Sequence, residues 1–215
     1  MKSPKKIIIF GASGRIGRIL TQQALRDGYE VTAFVLNQDS LRDIDHENFT
    51  IYQGDATDAH DTMNAIAHHD AVISVLGHNK HTNIEMQSDA MRAIIAAMQQ
   101  HNVGRIVSLT GVGVFTAQDV PTLLDRFFVS ALMFLQPKRI QDGIKHVEVL
   151  KCSDIDWVVL RTPKHKNSKR PKDYTVNPTI KQSSIAVSRL NIARELLHLA
   201  SAETIPHRCP VISER

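Results

Sequence analysis

The segment Lys5-Lys6-Ile7-Ile8-Ile9-Phe10-Gly11-Ala12-Ser13-Gly14-Arg15-Ile16-Gly17-Arg18 constrains the fold more than any other part of the chain. A short apolar run, with the pattern of a buried strand, ends in three glycines spaced G-x-x-G-x-x-G. Ile19, Leu20, Ala24 and Leu25 then recur at helical spacing. The order is strand, tight turn, helix. Such a turn aims free backbone N–H groups and the positive end of a helix dipole at one point, where a diphosphate binds. Gly11 serves the turn, Gly14 the approach of backbone to phosphate, and Gly17 the packing of helix on strand. Together with Ser13, Arg15 and Ile16 they form the candidate dinucleotide-binding loop. A glycine turn kept for packing alone is the competing reading.

Beyond this loop the chain alternates strand and helix patterns. Glu30 to Leu36 reads as a second strand, Phe49 to Gln53 as a third, Asp70 to Leu76 as a fourth, Arg105 to Leu109 as a fifth and Asp156 to Arg161 as a sixth. Between them, Asp58 to His68, Asn83 to His101 and Pro137 to Cys152 carry helical periodicity, and Arg189 to Leu199 forms a closing helix. Near-continuous apolar strands separated by helices predict a parallel sheet covered on both faces. With right-handed crossovers this is an α/β, doubly wound, Rossmann-type domain. No second core, repeat or linker is visible, so residues 1–215 are expected to form a single domain.

The 215 residues are 42% hydrophobic, enough for one substantial core, and no stretch approaches the roughly 20 apolar residues of a membrane span. The apolar run after Lys2, Lys5 and Lys6 leads straight into the glycine loop, unlike a signal peptide. Cys152 and Cys209 lack metal or redox spacing, which points to a reducing, cytoplasmic setting and to no metal. The net charge of +4 suits an anionic small ligand.

In a doubly wound sheet the ligand lies across the carboxyl ends of the strands. Leu36 ends the second strand and Asn37 follows it. Asp55 and Ala56 follow the third, where a carboxylate can accept a hydrogen bond from an adenine amino group; an ordinary helix cap is the alternative for Asp55. Leu76 ends the fourth and Gly77, His78 and Asn79 follow it, where small residues let ribose and nicotinamide pass close to backbone. Thr110 ends the fifth.

The segments Ile-Phe-Gly-Ala-Ser-Gly-Arg-Ile-Gly, Gln-Gly-Asp-Ala, Val-Ile-Ser-Val-Leu-Gly, Arg-Ile-Val-Ser-Leu-Thr-Gly and Trp-Val-Val-Leu-Arg-Thr-Pro together resemble the atypical short-chain dehydrogenase/reductases. Within these the chain is most similar to the NAD(P)H-binding group that contains biliverdin-IXβ/flavin reductase and the NmrA-like proteins. The resemblance runs over nearly the whole chain and is densest before residue 111. It implies a nucleotide-binding domain with a small C-terminal substrate region and, for catalytic members, NADPH-dependent reduction of flavins or tetrapyrroles. It also implies an active-site serine near the end of the fifth strand, which points to Ser108 and Thr110, although Gly111 matches the flavin reductase serine.

Two departures qualify the resemblance. Family members often carry an arginine just after the second strand, where it grips an adenosine 2′-phosphate; here the position is Leu36. Arg15 and Arg18, or Ser40 and Arg42, are candidate replacements, so NADP is mildly preferred over NAD. Many short-chain dehydrogenases also use a Tyr-x-x-x-Lys pair as proton donor. Tyr29, Tyr52 and Tyr174 are the only tyrosines, and none has lysine four residues on. His165 is then a candidate proton donor, with His78, Lys80 and Asp142 as further polar candidates.

The segment from Lys164 to Lys172 carries five Lys/Arg and suits either an anionic substrate or a solvated loop. It lacks the interleaved aromatics of a nucleic-acid contact. Leu123 to Leu135 is strongly apolar and fits a pocket lid, a homodimer contact or ordinary core. The expected function is therefore an NAD(P)H-dependent oxidoreductase acting on a flat, anionic small molecule such as a flavin or tetrapyrrole. A non-catalytic, redox-sensing NAD(P)-binding protein of the NmrA-like kind is the alternative.

Overall fold

The structure is a computed structural model that describes residues 6–79, 82–116, 118–119, 134, 137–168, 170–180 and 184–214. In chain order the elements are β1 (Lys6–Phe10), α1 (Arg15–Arg26), β2 (Glu30–Val35), β3 (Phe49–Gln53), α2 (Ala59–Ile66), β4 (Ala71–Ser74), α3 (Met86–His101) and β5 (Arg105–Gly111). They continue with α4 (Pro137–Lys151), β6 (Asp156–Thr162), β7 (Lys164–Lys166), β8 (Tyr174–Asn177), β9 (Ala186–Ser188), α5 (Arg189–Ser201) and β10 (Val211–Glu214). The main sheet runs β3-β2-β1-β4-β5-β6-β10-β8, and every adjacent pair is parallel except β10 with β8. Strand order reverses between β1 and β4, the switch point at which doubly wound sheets bind ligands. No helix among the described residues is long and apolar enough to cross a membrane.

Alternation along β1 explains the layers. Ile7 and Ile9 face one way, into a core shared with Leu20 and Ala24 of α1 and Ile192 and Leu196 of α5. Ile8 and Phe10 face the other way, onto Ile66 of α2, Ile94 of α3 and Leu150 of α4. Both faces of the sheet are thus dry, and this is why its strands read as continuous apolar runs.

The C-terminal third departs from the sequence reading. Lys164 to Lys166, expected as part of a basic loop, pairs in parallel with β9 to form a separate two-stranded sheet. β8 and β10 extend the main sheet to an antiparallel edge. Two buried charge clusters hold this region. Arg161, fully buried at the end of β6, meets Asp119 at 2.5 and 3.1 Å, and its remaining donors reach the carbonyls of Cys209, Val114 and Pro178. The Glu214 carboxylate accepts from Ser188 N at 2.6 Å and Asn191 Nδ2 at 2.9 Å, and pairs with Lys166 Nζ at 2.7 Å. The apolar segment Leu123 to Leu135 lies outside the described residues except for Phe134, whose side chain is exposed.

Candidate functional site

The loop after β1 has the close approaches that require glycine. Gly11 sits at φ +80°, and a Cβ there would fall 3.0 Å from the Val75 carbonyl. A Cβ on Gly17 would lie 2.2 Å from Gly11 O and 2.7 Å from Ala12 Cα, a collision with backbone that only movement of α1 relieves. Gly14 N donates to Gly11 O at 3.0 Å and closes the turn. The start of α1 is left open: Gly14 offers no side-chain cap, and the first turn holds no acidic residue. Three other helix starts are occupied. Asp58 caps α2, Ser188 caps α5, and Asp142 reaches across from α4 to accept from Gln87 N and Ser88 N of α3. The unsatisfied N–H groups of α1 therefore suit an anion.

From this loop a cavity of about 1150 Å³ extends along the carboxyl ends of the strands. Gly11, Ser13, Gly14, Arg15, Ile16, Leu36, Asp55, Ala56, Leu76, Gly77, His78, Thr110 and His165 all line it. Gly17 lies outside and acts through packing. Asn37 also lies outside, and its side chain accepts from Asp39 N to cap a short 3-10 turn, Gln38–Leu41. Ser108 is set apart as well: it is fully buried, and its hydroxyl lies 3.0 Å from His146 Nε2. Its face of β5 is covered by α4, so it cannot touch a molecule in the cavity. Lys80 lies outside the described residues.

At the β2–β3 end, Leu36 is 64% exposed. Asp55 Oδ1 accepts from the Thr57 backbone and hydroxyl, which leaves Oδ2 without a hydrogen bond among the described residues. The candidate phosphate contacts here are engaged elsewhere. Arg18 holds Asp43 at 2.6 and 2.8 Å and also donates to Ser40 O; Arg42 pairs with Asp39 at 2.8 Å; Ser40 Oγ donates to Asn37 O.

Arg15 points to different company. Its charge and that of Arg189, at the start of α5, both act on His165. Burial lowers the His165 pKa most, and the two guanidinium charges lower it further. Burial, followed by Arg15, also lowers the Arg189 pKa. Arg189 donates to the Asn167 side chain at 2.5 Å, and neither arginine has an acidic partner among the described residues. Thr162 Oγ1 lies 3.2 Å from Thr110 O and 2.8 Å from His165 Nε2, so the hydroxyl links the end of β5 to the imidazole. Asp55 is the only carboxylate among the described lining residues, whereas Arg15, Arg139, Lys164 and Arg189 supply positive charge.

The wall built by β4 and α4 was read least well from sequence. In place of a Tyr-x-x-x-Lys pair, α4 presents Arg139 and Ile140 to the cavity. One turn on, the fully buried Asp142 carboxylate lies with Oδ2 3.0 Å from His78 Nε2. The His78 side chain is 8% exposed, and neither ring nitrogen has a hydrogen bond among the described residues. Burial lowers the His78 pKa, Arg139 adds to this, and Asp142 opposes it. His146, a turn further along α4, is pushed down to about 4, mainly by burial. The group among the described residues with ligand atoms close enough for a cation, Asp58, His60 and Asp61, is outside this cavity. Asp58 and Asp61 already accept backbone N–H groups there.

A model of the NAD(P)H-binding family matches residues 11–203. Among solved structures, a short-chain dehydrogenase/reductase from Veillonella parvula, in complex with NADP, superposes with a TM-score of 0.77 at 22% identity, covering 98% of this chain and 94% of its own. ChuY, an anaerobillin reductase from Escherichia coli O157:H7, gives 0.79 at 18% identity, with 98% and 97% covered. A putative epimerase from Bacteroides thetaiotaomicron gives 0.77 at 21%, with 98% and 97% covered. At these identities the likeness is one of fold.

Proposed function

The chain belongs to the NAD(P)H-binding family, and on that premise we propose that it is an NAD(P)H-dependent reductase of a flat, anionic acceptor such as a flavin or a tetrapyrrole. The observation that carries the reading is the charge layout of the cavity. An open helix start and glycine loop sit at its centre with Arg15. The only carboxylate among the described lining residues lies at the β3 end, and Arg189 lies at the start of α5, with no acidic partner for either arginine among the described residues. In this assignment the diphosphate takes the N–H groups around Gly11, Ser13 and Gly14. The adenine reaches Asp55 Oδ2, and the ribose and nicotinamide pass Leu76, Gly77 and Thr110. The bound cofactor supplies a hydride. The protein supplies position, since Thr110 and Gly77 offer a close, nearly side-chain-free wall beside which an acceptor can stack.

Arg15 and Arg189 then hold the acceptor's phosphate or carboxylate. Two like charges beside each other with no acid nearby are costly until an anion joins them. FMN and riboflavin differ in charge only at the phosphate, so they test this directly. Arg189→Gln is expected to lower kcat/KM for FMN about tenfold or more while leaving riboflavin nearly unchanged, the scale of one charge-assisted hydrogen bond. Equal loss on both acceptors, or on neither, contradicts the assignment. The second reading, an NAD(P)-binding sensor, is favoured by one observation: α4 turns Arg139 and Ile140, not a tyrosine, to the cavity.

A further inference from the structure

We propose that Glu214 is a positioning residue of this site: by joining Lys166 of β7 to the start of α5, it places Arg189 where the acceptor's anion is held. The proposal rests on the reading above, in which Arg189 takes the acceptor's phosphate or carboxylate. Arg189 reaches the cavity on a narrow support. It follows β9 directly as the first residue of α5, and its guanidinium donates to the side chain of Asn167, the residue after β7. Among the described residues, β7 and β9 pair only with each other, His165 opposite Val187 and Lys166 opposite Ser188. Two strands of three residues each are marginal by themselves. Contacts from outside must therefore fix where this small sheet sits.

Glu214 supplies them from β10, a strand of the main sheet. Its side chain is 1% exposed. Oε1 accepts from Ser188 N at 2.6 Å and from Asn191 Nδ2 at 2.9 Å, and Oε2 faces Lys166 Nζ at 2.7 Å. One carboxylate thus grips both strands, β9 at the residue before Arg189 and β7 at the residue before Asn167. The adjacent backbone adds to the grip, because Glu214 N donates to Ser184 Oγ at 3.1 Å and Ser184 N donates to Ser213 Oγ at 2.7 Å. Burial pushes the Glu214 pKa up, but Lys166 and Ser188 outweigh it and hold the carboxyl below its ordinary value. The carboxylate forms its ion pair with Lys166 and not with Arg189, so it fixes the arginine's place without neutralising its charge. Neither Glu214 nor Lys166 lines the cavity, and an effect of either on the acceptor has to pass through the residues that do.

The test measures dissociation constants for FMN and riboflavin by flavin fluorescence, with oxidised NADP present to occupy the glycine loop, and for NADPH by nicotinamide fluorescence. The proteins are wild type, Glu214→Gln, Lys166→Met, Arg189→Gln and the double variant Glu214→Gln/Arg189→Gln. Glutamine keeps an acceptor for Ser188 N but lacks the charge that holds Lys166. Lys166→Met breaks the same pair at a partly exposed side chain and serves should the first variant fold poorly. Each single variant of the pair is expected to lower the preference for FMN over riboflavin about fivefold, through weaker FMN binding, with NADPH affinity kept within about twofold. In the double variant the preference is expected to equal that of Arg189→Gln alone, since no arginine is left to position.

Equal loss for FMN and riboflavin makes Glu214 merely structural and overturns the proposal. So does a further, additive loss in the double variant, a gain in FMN preference from the released Lys166 charge, or a preference unchanged by both Glu214→Gln and Lys166→Met. Arg189 keeps its assigned role in any of these cases if Arg189→Gln itself abolishes the preference. If wild type binds FMN no more tightly than riboflavin, that assignment falls and this proposal with it.

Discussion

Gly17 sets the tolerance of the loop. A methyl group there meets Gly11 O and Ala12 Cα inside any real contact distance, so Gly17→Ala has to push α1 away from β1. The expected result is a lower melting temperature together with at least tenfold weaker NADPH binding; unchanged affinity would mean that the loop does not hold the phosphates. His146 makes a different prediction. Its native pKa of about 4 lies below the ordinary 6.5, so native and unfolded states carry the same charge above pH 6.5. As pH falls from 6.5 towards 4, only the unfolded state gains a proton, and stability is lost. The whole effect amounts to about 3 kcal/mol. In urea titrations, the stability advantage of wild type over His146→Gln should therefore shrink by roughly that amount between pH 7.5 and pH 4; a constant difference contradicts a buried neutral His146. The glycines were legible because their spacing carries the geometry. Asp142 was legible only as a polar residue, because its partners Gln87 and Ser88 are backbone donors more than fifty residues away.

At the scale of elements, the six parallel strands of the nucleotide half were readable from apolar runs set between amphipathic helices. β7 to β10 were not. They are three or four residues long, too short for a period to show, and pairing holds them in place, β7 with β9, β8 with β10 and β10 with β6. The Arg161–Asp119 pair is the best instance of what stayed hidden. A lone arginine at the end of an apolar strand signals a buried carboxylate partner, but not which one. Burial alone raises the Asp119 pKa, yet Arg161 and the backbone N–H groups of Thr116 and Ile180 outweigh it and hold the carboxyl below its usual value. Such a group contributes stability above its unfolded pKa and loses it as pH falls through the native one. Asp119→Asn leaves a buried guanidinium unpaired and is expected to cost about 3–5 kcal/mol. For a chain of this length that corresponds to a fall in melting temperature of roughly 10 °C, measurable by calorimetry. A change of a degree or two would show that the pair is dispensable. Since Val114, Pro178 and Cys209 converge on Arg161, the loss should begin in the C-terminal region.

For the whole molecule, the proposed function gives one cavity three jobs: phosphates at the glycine loop, adenine beside Asp55, and an anionic acceptor at Arg15 and Arg189. Cofactor choice follows from the same charge map. Arg18 and Arg42 enter with aspartate partners already in place, and exposed pairs of this kind are worth about 0–1 kcal/mol. A 2′-phosphate can compete for them but gains little, so NADPH and NADH should bind within about tenfold of each other, with NADPH the tighter. The measurement that tests the central claim most directly is a titration of the purified protein with each reduced nucleotide, followed through nicotinamide fluorescence, with FMN then added. The account predicts saturable binding of both and loss of the reduced nucleotide only when the flavin is present. No binding of either nucleotide would contradict it at its root, in the reading of Gly11, Gly14 and Gly17.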